Sequence, residues 1–391
     1  MKKFLCLALV LTCFGALGYA QNARQIFDRA EKSKKPAEQI KLLNRIIEAA
    51  PDFAPAYHKR ADAYKQQGKM KQAVSDYTKA VELAPKDPFK LYARALAYME
   101  QKNYPAATND LTKAIQLKSN YQNFYYYRLL CYMQTGSYPL ARKDLEKLKT
   151  FKTGAQYLLP LEAQINFFTN NYAAARRNFE QILQRNPDNI IALFYMGRIY
   201  FNTEMYDEAI SYFSKAINRD PNFDAAYRLR AAAFKEIREY DQAARDYTSL
   251  IALNQDYSYY NRRGLVYELM GDWRAAADDY SYSIAISPKW AVAYNNRGYA
   301  YLKMKEYKKA QKDFETALKL SPDLSATLVN LAGYYWTAER NKKLMYKYLE
   351  SALKHNYKDV DSLYEESKKG WLFKNANNTA EFRIMTGKYA K

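Results

Sequence analysis

From Ala54 onward one pattern of large apolar, small and polar positions recurs along the chain. Segments starting at Ala54, Pro88, Gln122, Gln156, Ile190, Asp224, Tyr257, Ala291 and Ser325 align without gaps. The spacing is 34 residues, with one step of 33 between Asp224 and Tyr257. Numbering each copy from one, position 8 is Ala or Gly except at Leu129, and position 20 is Ala except at Leu344. Small side chains at these two places let two helices of one copy approach closely. Position 32 is proline in five copies (Pro85, Pro187, Pro221, Pro288 and Pro322), which ends a second helix and turns the chain. Each copy therefore predicts a helix–turn–helix that buries only part of its apolar surface alone and completes its core by stacking on its neighbours.

The eighth copy, "AVAYNNRGYAYLKMKEYKKAQKDFETALKLSP", shows the full form. Its length and its spacing of aromatic, small and proline positions resemble the tetratricopeptide repeat. The resemblance covers residues 54–356 as nine copies and implies an all-α fold, a right-handed solenoid of stacked helix–turn–helix units. Residues 21–53 contain "EQIKLLNRIIEAAPDF", which matches a second repeat helix, and read as an atypical N-terminal repeat or cap. Residues 357–391 read as terminal helices that cover the last apolar face with Trp371, Leu372, Phe373 and Phe382, or as a tail that folds back into the groove.

Composition changes this picture at two points. Tyrosine is abundant, with 39 copies, but positions 4, 11, 17 and 24 hold Tyr in five, seven, six and four repeats. Most of these rings are therefore framework and not a stacking platform. Arginine also recurs in phase. Position 7 is Arg60, Arg94, Arg128, Arg230, Arg263 and Arg297, and position 23 of the same six copies is Asp76, Asp110, Asp144, Asp246, Asp279 and Asp313. The other three copies carry neither. This correspondence predicts an ion pair between the two helices of each of the six repeats, bidentate where geometry allows.

The first twenty residues, "MKKFLCLALVLTCFGALGYA", read as a secretory signal of bacterial type cut after Ala20, with Lys2 and Lys3 ahead of an apolar run and small residues at the cleavage point. No other segment is apolar for long enough to cross a bilayer. The expected location is the periplasm or cell envelope, with a lipid-anchored or extracellular protein as the lesser alternative. The formal net charge of +20 suggests anionic contacts, which in an exported protein are envelope components or acidic proteins and not nucleic acid.

Candidate chemistry is sparse. His58 and His355 lie at opposite ends of the array, and there is no HExxH, GxSxG, Gly-rich phosphate loop or CxxC pair. Cys131 falls at a packed position, as a structural thiol. No catalytic role, metal or cofactor is expected. What remains is binding. The resemblance implies that positions 2, 5, 9, 12 and 13 of the first helices line a concave groove. They carry Tyr92, Leu96 and Met99 in the second copy, and Tyr126, Leu130 and Met133 in the third. The fourth has Tyr157, Gln164, Phe167 and Phe168, and the fifth Ile191, Phe194, Arg198 and Phe201. This strip is expected to hold a protein or peptide partner. The sixth and seventh copies turn polar with Arg228, Lys235, Asn261 and Glu268, and Trp336 ends the row in the ninth. The Lys/Asn pattern with which some tetratricopeptide domains hold a chaperone's C-terminal carboxylates is absent. The alternative is a polyanion or envelope-surface binder that acts through the basic convex face.

Overall fold

A computed structural model describes residues 24–151, 155–355 and 372–389. The signal segment expected over residues 1–20 lies outside the described residues, as does Trp371. The chain divides into two compact units, residues 1–182 and 183–391.

In the first unit, α1 (24–32) and α2 (Pro36–Ala49) precede four helix pairs. These are α3 (Ala54–Gln66) with α4 (Met70–Leu83), α5 (Pro88–Glu100) with α6 (Tyr104–Leu117), α7 (Gln122–Gln134) with α8 (Tyr138–Lys149), and α9 (Ala155–Phe168) with α10 (Tyr172–Arg185). The second unit holds five pairs. They are α11 (Ile190–Asn202) with α12 (Tyr206–Arg219), α13 (Asp224–Glu236) with α14 (Tyr240–Leu253), and α15 (Tyr257–Met270) with α16 (Trp273–Ile286). After them come α17 (Ala291–Lys303) with α18 (Tyr307–Leu320), and α19 (Ser325–Thr337) with α20 (Lys342–Lys354). A short 3-10 turn (Ala376–Asn378) and α21 (Ala380–Tyr389) follow. The described residues contain no strand. Within each unit consecutive pairs stack, and the fold is an α-solenoid. Eight of the nine first helices begin at the residue where the sequence copy begins; α9 starts one residue earlier, at Ala155, and carries Pro160 inside.

The turn inside each pair follows one recipe. The residue at position 15 is left-handed in eight copies: Gly68, Gly136 and Gly271, but also Lys102, Asn170, Glu204, Arg238 and Lys305 at φ between 58° and 61°. The next amide reaches back to the carbonyl of position 11, as in Asn103 N–H to Tyr98 O at 2.8 Å and Glu306 N–H to Tyr301 O at 2.8 Å. This is the helix-ending bond of a Schellman turn. The small residue at position 8 makes room for the ring at position 24. A Cβ on Gly264 would come within 2.7 Å of the Tyr280 ring, and one on Gly197 within 2.6 Å of Phe213.

All six Arg–Asp pairs form, and all six are bidentate. Nε and Nη2 of each arginine donate to the two carboxylate oxygens at 2.6 to 2.9 Å. The aspartates are buried, between 1% and 6% exposed. The Asp76 carboxylate holds the Arg60 guanidinium above its ordinary value, and Asp110 does the same for Arg94.

Two further layers complete this device. In five of the six the guanidinium lies against the rings at positions 4 and 11 of its own helix, as Arg128 does with Tyr125 and Tyr132, each at 5.8 Å, and Arg297 with Tyr294 and Tyr301, each at 5.7 Å; Arg94, with Leu91 at position 4, lies against Tyr98 at 5.8 Å. Its remaining nitrogen donates to the second helix of the preceding pair: Arg60 to Asn44, Arg128 to Thr112, Arg230 to Ser214, Arg263 to Thr248 and Arg297 to Ser281, at 2.8 to 3.1 Å. One arginine thus ties three helices. Where position 7 is not arginine, position 4 is leucine (Leu159, Leu193, Leu328) and the preceding acceptor is glutamate (Glu146, Glu180, Glu315). At the first of these places Lys149 bridges Glu146 at 3.1 Å and Glu162 at 2.8 Å instead.

Candidate functional site

In the first unit the concave positions lie on α5, α7 and α9. Tyr92, Leu96 and Met99 on α5 and Tyr126, Leu130 and Met133 on α7 are all partly buried. They sit on the cores of their own repeats and keep one side open. Rings continue from helix to helix: Tyr127 packs on Tyr92 at 5.6 Å, and Tyr126 on Tyr127 at 5.3 Å. On α9 Tyr157 is 71% exposed and Gln164 is partly buried, while Phe168 stacks on Tyr138 at 4.7 Å and 5°. Phe167 departs from the expectation. It is 4% exposed, packed edge-on against Phe168 at 5.3 Å and against Tyr172 at 5.7 Å. The tyrosine that opens α10 covers it, so Phe167 belongs to the interior and not to an open groove.

In the second unit Ile191 is 50% exposed, and Phe194, Arg198 and Phe201 are partly buried. The Arg198 guanidinium lies over Phe194 at 5.7 Å and Tyr195 at 5.2 Å, and Phe201 meets Tyr206 at 5.6 Å.

A cavity of about 630 Å³ opens between α3 and α5, lined by His58, Asp62, Tyr77, Phe89, Tyr92, Leu96 and Glu100 among others. The sequence reading did not assign it. Its signal was a polar trio at positions 5, 9 and 24 of the first copy. The Tyr77 hydroxyl donates to Asp62 at 2.5 Å, and the His58 ring stands edge-on to Tyr77 at 5.4 Å, with its Nε2 3.8 Å from Asp62. Burial pulls the His58 imidazole below its usual range, against the pull of Asp62. Lys65 pairs with Glu100 across the two helices. The cavity is thus rimmed by matched charges and walled by rings.

Later in the second unit, positions 5 and 6 of the first helices are joined through amides. Asn296 donates to Asn261 at 3.0 Å, Asn330 to Asn295 at 3.0 Å, and Asn295 to Asn296 at 3.1 Å. Glu268 accepts from the Tyr280 hydroxyl at 2.9 Å. Burial pushes its carboxyl up to about 7, against the pull of that bond and of Lys303. Trp336 donates its indole N–H to the Lys374 carbonyl at 3.0 Å, and Leu372 fills the space over Gly333. Residues 372–375 therefore lie over concave positions 9 and 12 of the ninth copy, while Phe373 and Phe382 are fully buried against the last repeat.

Cys131 is buried and its thiol is pushed up to about 11 by burial, away from thiolate reactivity. Among the described residues no three His, Cys, Asp or Glu side chains gather as metal ligands, and no helix is long and apolar enough to cross a membrane.

Helix pairs that stack on one another within each unit define a helical-repeat protein-interaction scaffold. Four tetratricopeptide-repeat family models match residues 54–87, 92–155, 169–233 and 291–324, together about half of the chain. The chain belongs to the tetratricopeptide-repeat family. Among solved structures it is similar to a MamA protein (26% identity over 43% of this chain and 92% of that one, TM-score 0.40). It is also similar to a tetratricopeptide repeat protein from Parabacteroides merdae (19%, 63% and 99%, 0.48). A third is YrrB, described as a tetratricopeptide protein with an unusual peptide-binding site (13%, 49% and 98%, 0.38). No curated protein matches the chain.

Proposed function

We propose that this protein is a non-catalytic scaffold or adaptor of the bacterial envelope that holds a partner segment on the concave face of its repeats. The observation that carries this reading is the row Tyr92, Leu96, Met99, Tyr126, Leu130 and Met133. Six apolar or aromatic side chains, all partly open, stand on two neighbouring helices beside the α3–α5 cavity. An apolar surface of this kind, rimmed by charges, is the usual mark of an interaction site. A helix or an extended peptide that inserts side chains between the rings fits it. The envelope assignment rests on the sequence of residues 1–20; Gln21 as the first residue of the mature protein, read by N-terminal sequencing, is its test.

Peptide display against the whole chain tests the groove. The expected winners carry apolar or aromatic residues, and they lose at least about ten-fold in affinity on a Tyr126→Ala, Leu130→Ala double variant whose helicity is unchanged. Winners that bind this variant as tightly as the parent chain would place the site elsewhere.

A further inference from the structure

The ninth repeat departs from the turn recipe of the other eight. In those, the left-handed residue stands at position 15, and the amide of position 16 returns to the carbonyl of position 11. In the ninth copy the left-handed residue is Arg340, at position 16 with φ 56°. The amide of Asn341, at position 17, is the one that returns to Tyr335 O, at 2.9 Å. The turn is one residue longer, and a cavity of about 510 Å³ opens beside it, lined by Trp336, Thr337, Arg340, Lys342, Lys374 and Asn375.

Three separate segments supply the cations of this cavity. Arg340 comes from the turn after α19, Lys342 opens α20, and Lys374 belongs to the segment that follows. All three are exposed, and none forms an ion pair among the described residues. None of the six lining residues is acidic. Glu339, beside Arg340 in sequence, is engaged elsewhere and accepts from the Tyr334 hydroxyl at 2.7 Å. The backbone that carries Lys374 and Asn375 is pinned on both sides: Phe373 and Ala376 are fully buried, and the Lys374 carbonyl accepts from the Trp336 indole at 3.0 Å. Two lining side chains are therefore presented from a fixed backbone, which lowers the ordering cost of binding.

Charge and shape together select the ligand. A phosphate monoester carries about −1.5 to −2 charges at neutral pH and three acceptor oxygens. That matches three cations from three segments better than the single charge of a carboxylate does. Arg340 supplies a planar fork, and the two lysines supply point charges. The Trp336 ring, with its N–H already used, offers its face to the apolar side of a sugar ring. The Asn375 amide can donate to ring hydroxyls. The Thr337 hydroxyl, which donates to the Gly333 carbonyl at 2.7 Å, keeps its oxygen as an acceptor for them. The volume falls within the usual span of small-ligand pockets, about 300–1,000 Å³.

We propose that this cavity binds a phosphorylated sugar, free or as the headgroup of a lipid, with Arg340, Lys342 and Lys374 on the phosphate and Trp336 against the sugar ring. The site is separate from the apolar row on α5 and α7 and does not rest on that reading.

Isothermal titration calorimetry of the full chain with glucose 1-phosphate and with glucose 6-phosphate, at physiological salt, tests this. The better of the two is expected to bind with Kd below about 1 mM, and at least about ten-fold tighter than glucose, inorganic phosphate or phenyl phosphate. Arg340→Gln with Lys374→Gln should lose at least about ten-fold in that affinity while the thermal midpoint stays unchanged. Lys342→Gln alone keeps the test valid if the double variant folds poorly; it should cost about three-fold or more. A charge-matched control, Lys308→Gln with Lys312→Gln on the exposed side of α18, should change binding less than about two-fold. Flotation with phosphatidylcholine vesicles, with and without lipid A, separates the two sources. Capture by the lipid A vesicles alone, reversed by the glucose phosphate, identifies a lipid headgroup, and no capture by either identifies a free sugar phosphate. Inorganic phosphate or phenyl phosphate binding as tightly as the glucose phosphates, no binding of either glucose phosphate up to about 10 mM, or equal loss in the α18 control would each overturn the proposal. The Tyr126→Ala, Leu130→Ala variant should bind the sugar phosphate as the parent chain does, so the two sites stand or fall separately.

Discussion

Removing Asp110 is the sharpest test of how these repeats are held together. Its carboxylate is 1% exposed and accepts two bonds from Arg94, at 2.7 and 2.8 Å, and the Arg94 side chain is itself 14% exposed. Asp110→Ala deletes both charge-assisted bonds and leaves the guanidinium facing a vacated, nearly dry space. Breaking a fully buried pair in this way costs about 3–5 kcal/mol. Arg94 keeps its contact with Tyr98 at 5.8 Å and some access to water, so the lower end, about 3 kcal/mol, is expected. The exposed pair Arg176–Glu180, at 3.6 Å with side chains 48% and 45% exposed, supplies the contrast: Glu180→Ala should cost less than about 1 kcal/mol. Urea unfolding followed by far-ultraviolet circular dichroism measures both. Replacing both partners, with Arg94→Met and Asp110→Leu, should recover most of the loss, because no unpaired charge then remains. An Asp110→Ala cost no larger than that of Glu180→Ala would refute the reasoning.

Other consequences follow from single positions. Gly264→Ala should destabilise by about 1–3 kcal/mol in the same assay, because its Cβ would press on the buried Tyr280 ring at 2.7 Å. Lys305→Gly should stabilise by up to about 1 kcal/mol, since Lys305 sits at φ 61° and the left-handed region penalises a Cβ. The raised carboxyl of Glu268 makes its neutral form the better fit to the fold. Its contribution is present below the unfolded carboxyl range and is lost as pH rises through about 7. Glu268→Gln should therefore gain stability relative to the parent at pH 8 and not at pH 4, read from the pH dependence of the urea midpoint.

Much of this architecture was legible in residue spacing. The gapless alignment located eight first-helix starts to the residue, and the joint presence of Arg at position 7 and Asp at position 23 located all six ion pairs. The same comparison held more than was read from it. Five of the six arginine copies have Tyr at position 4, and the acceptor in the preceding second helix is Asn, Ser or Thr. Those regularities encode the ring sandwich and the three-helix tie. The groove was harder to read, because helix-face position alone does not set exposure. Phe167 and Met133 share position 12, yet Phe167 is drawn under the Tyr172 ring, whereas Met133 stays partly open. The left-handed residues at position 15 were hidden for another reason: Lys, Arg, Asn and Glu stand there beside Gly, so composition gives no sign of the strain.

The central claim is that a partner segment lies on the inner face of α5 and α7. Placing a photoreactive residue at Leu130, on that face, and separately at Lys143, exposed on α8, measures it most directly by crosslinking in living cells. The account predicts a discrete adduct from position 130 that is absent from position 143 and disappears when Tyr126→Ala is added. The same adducts from both positions, or none from position 130, would contradict it.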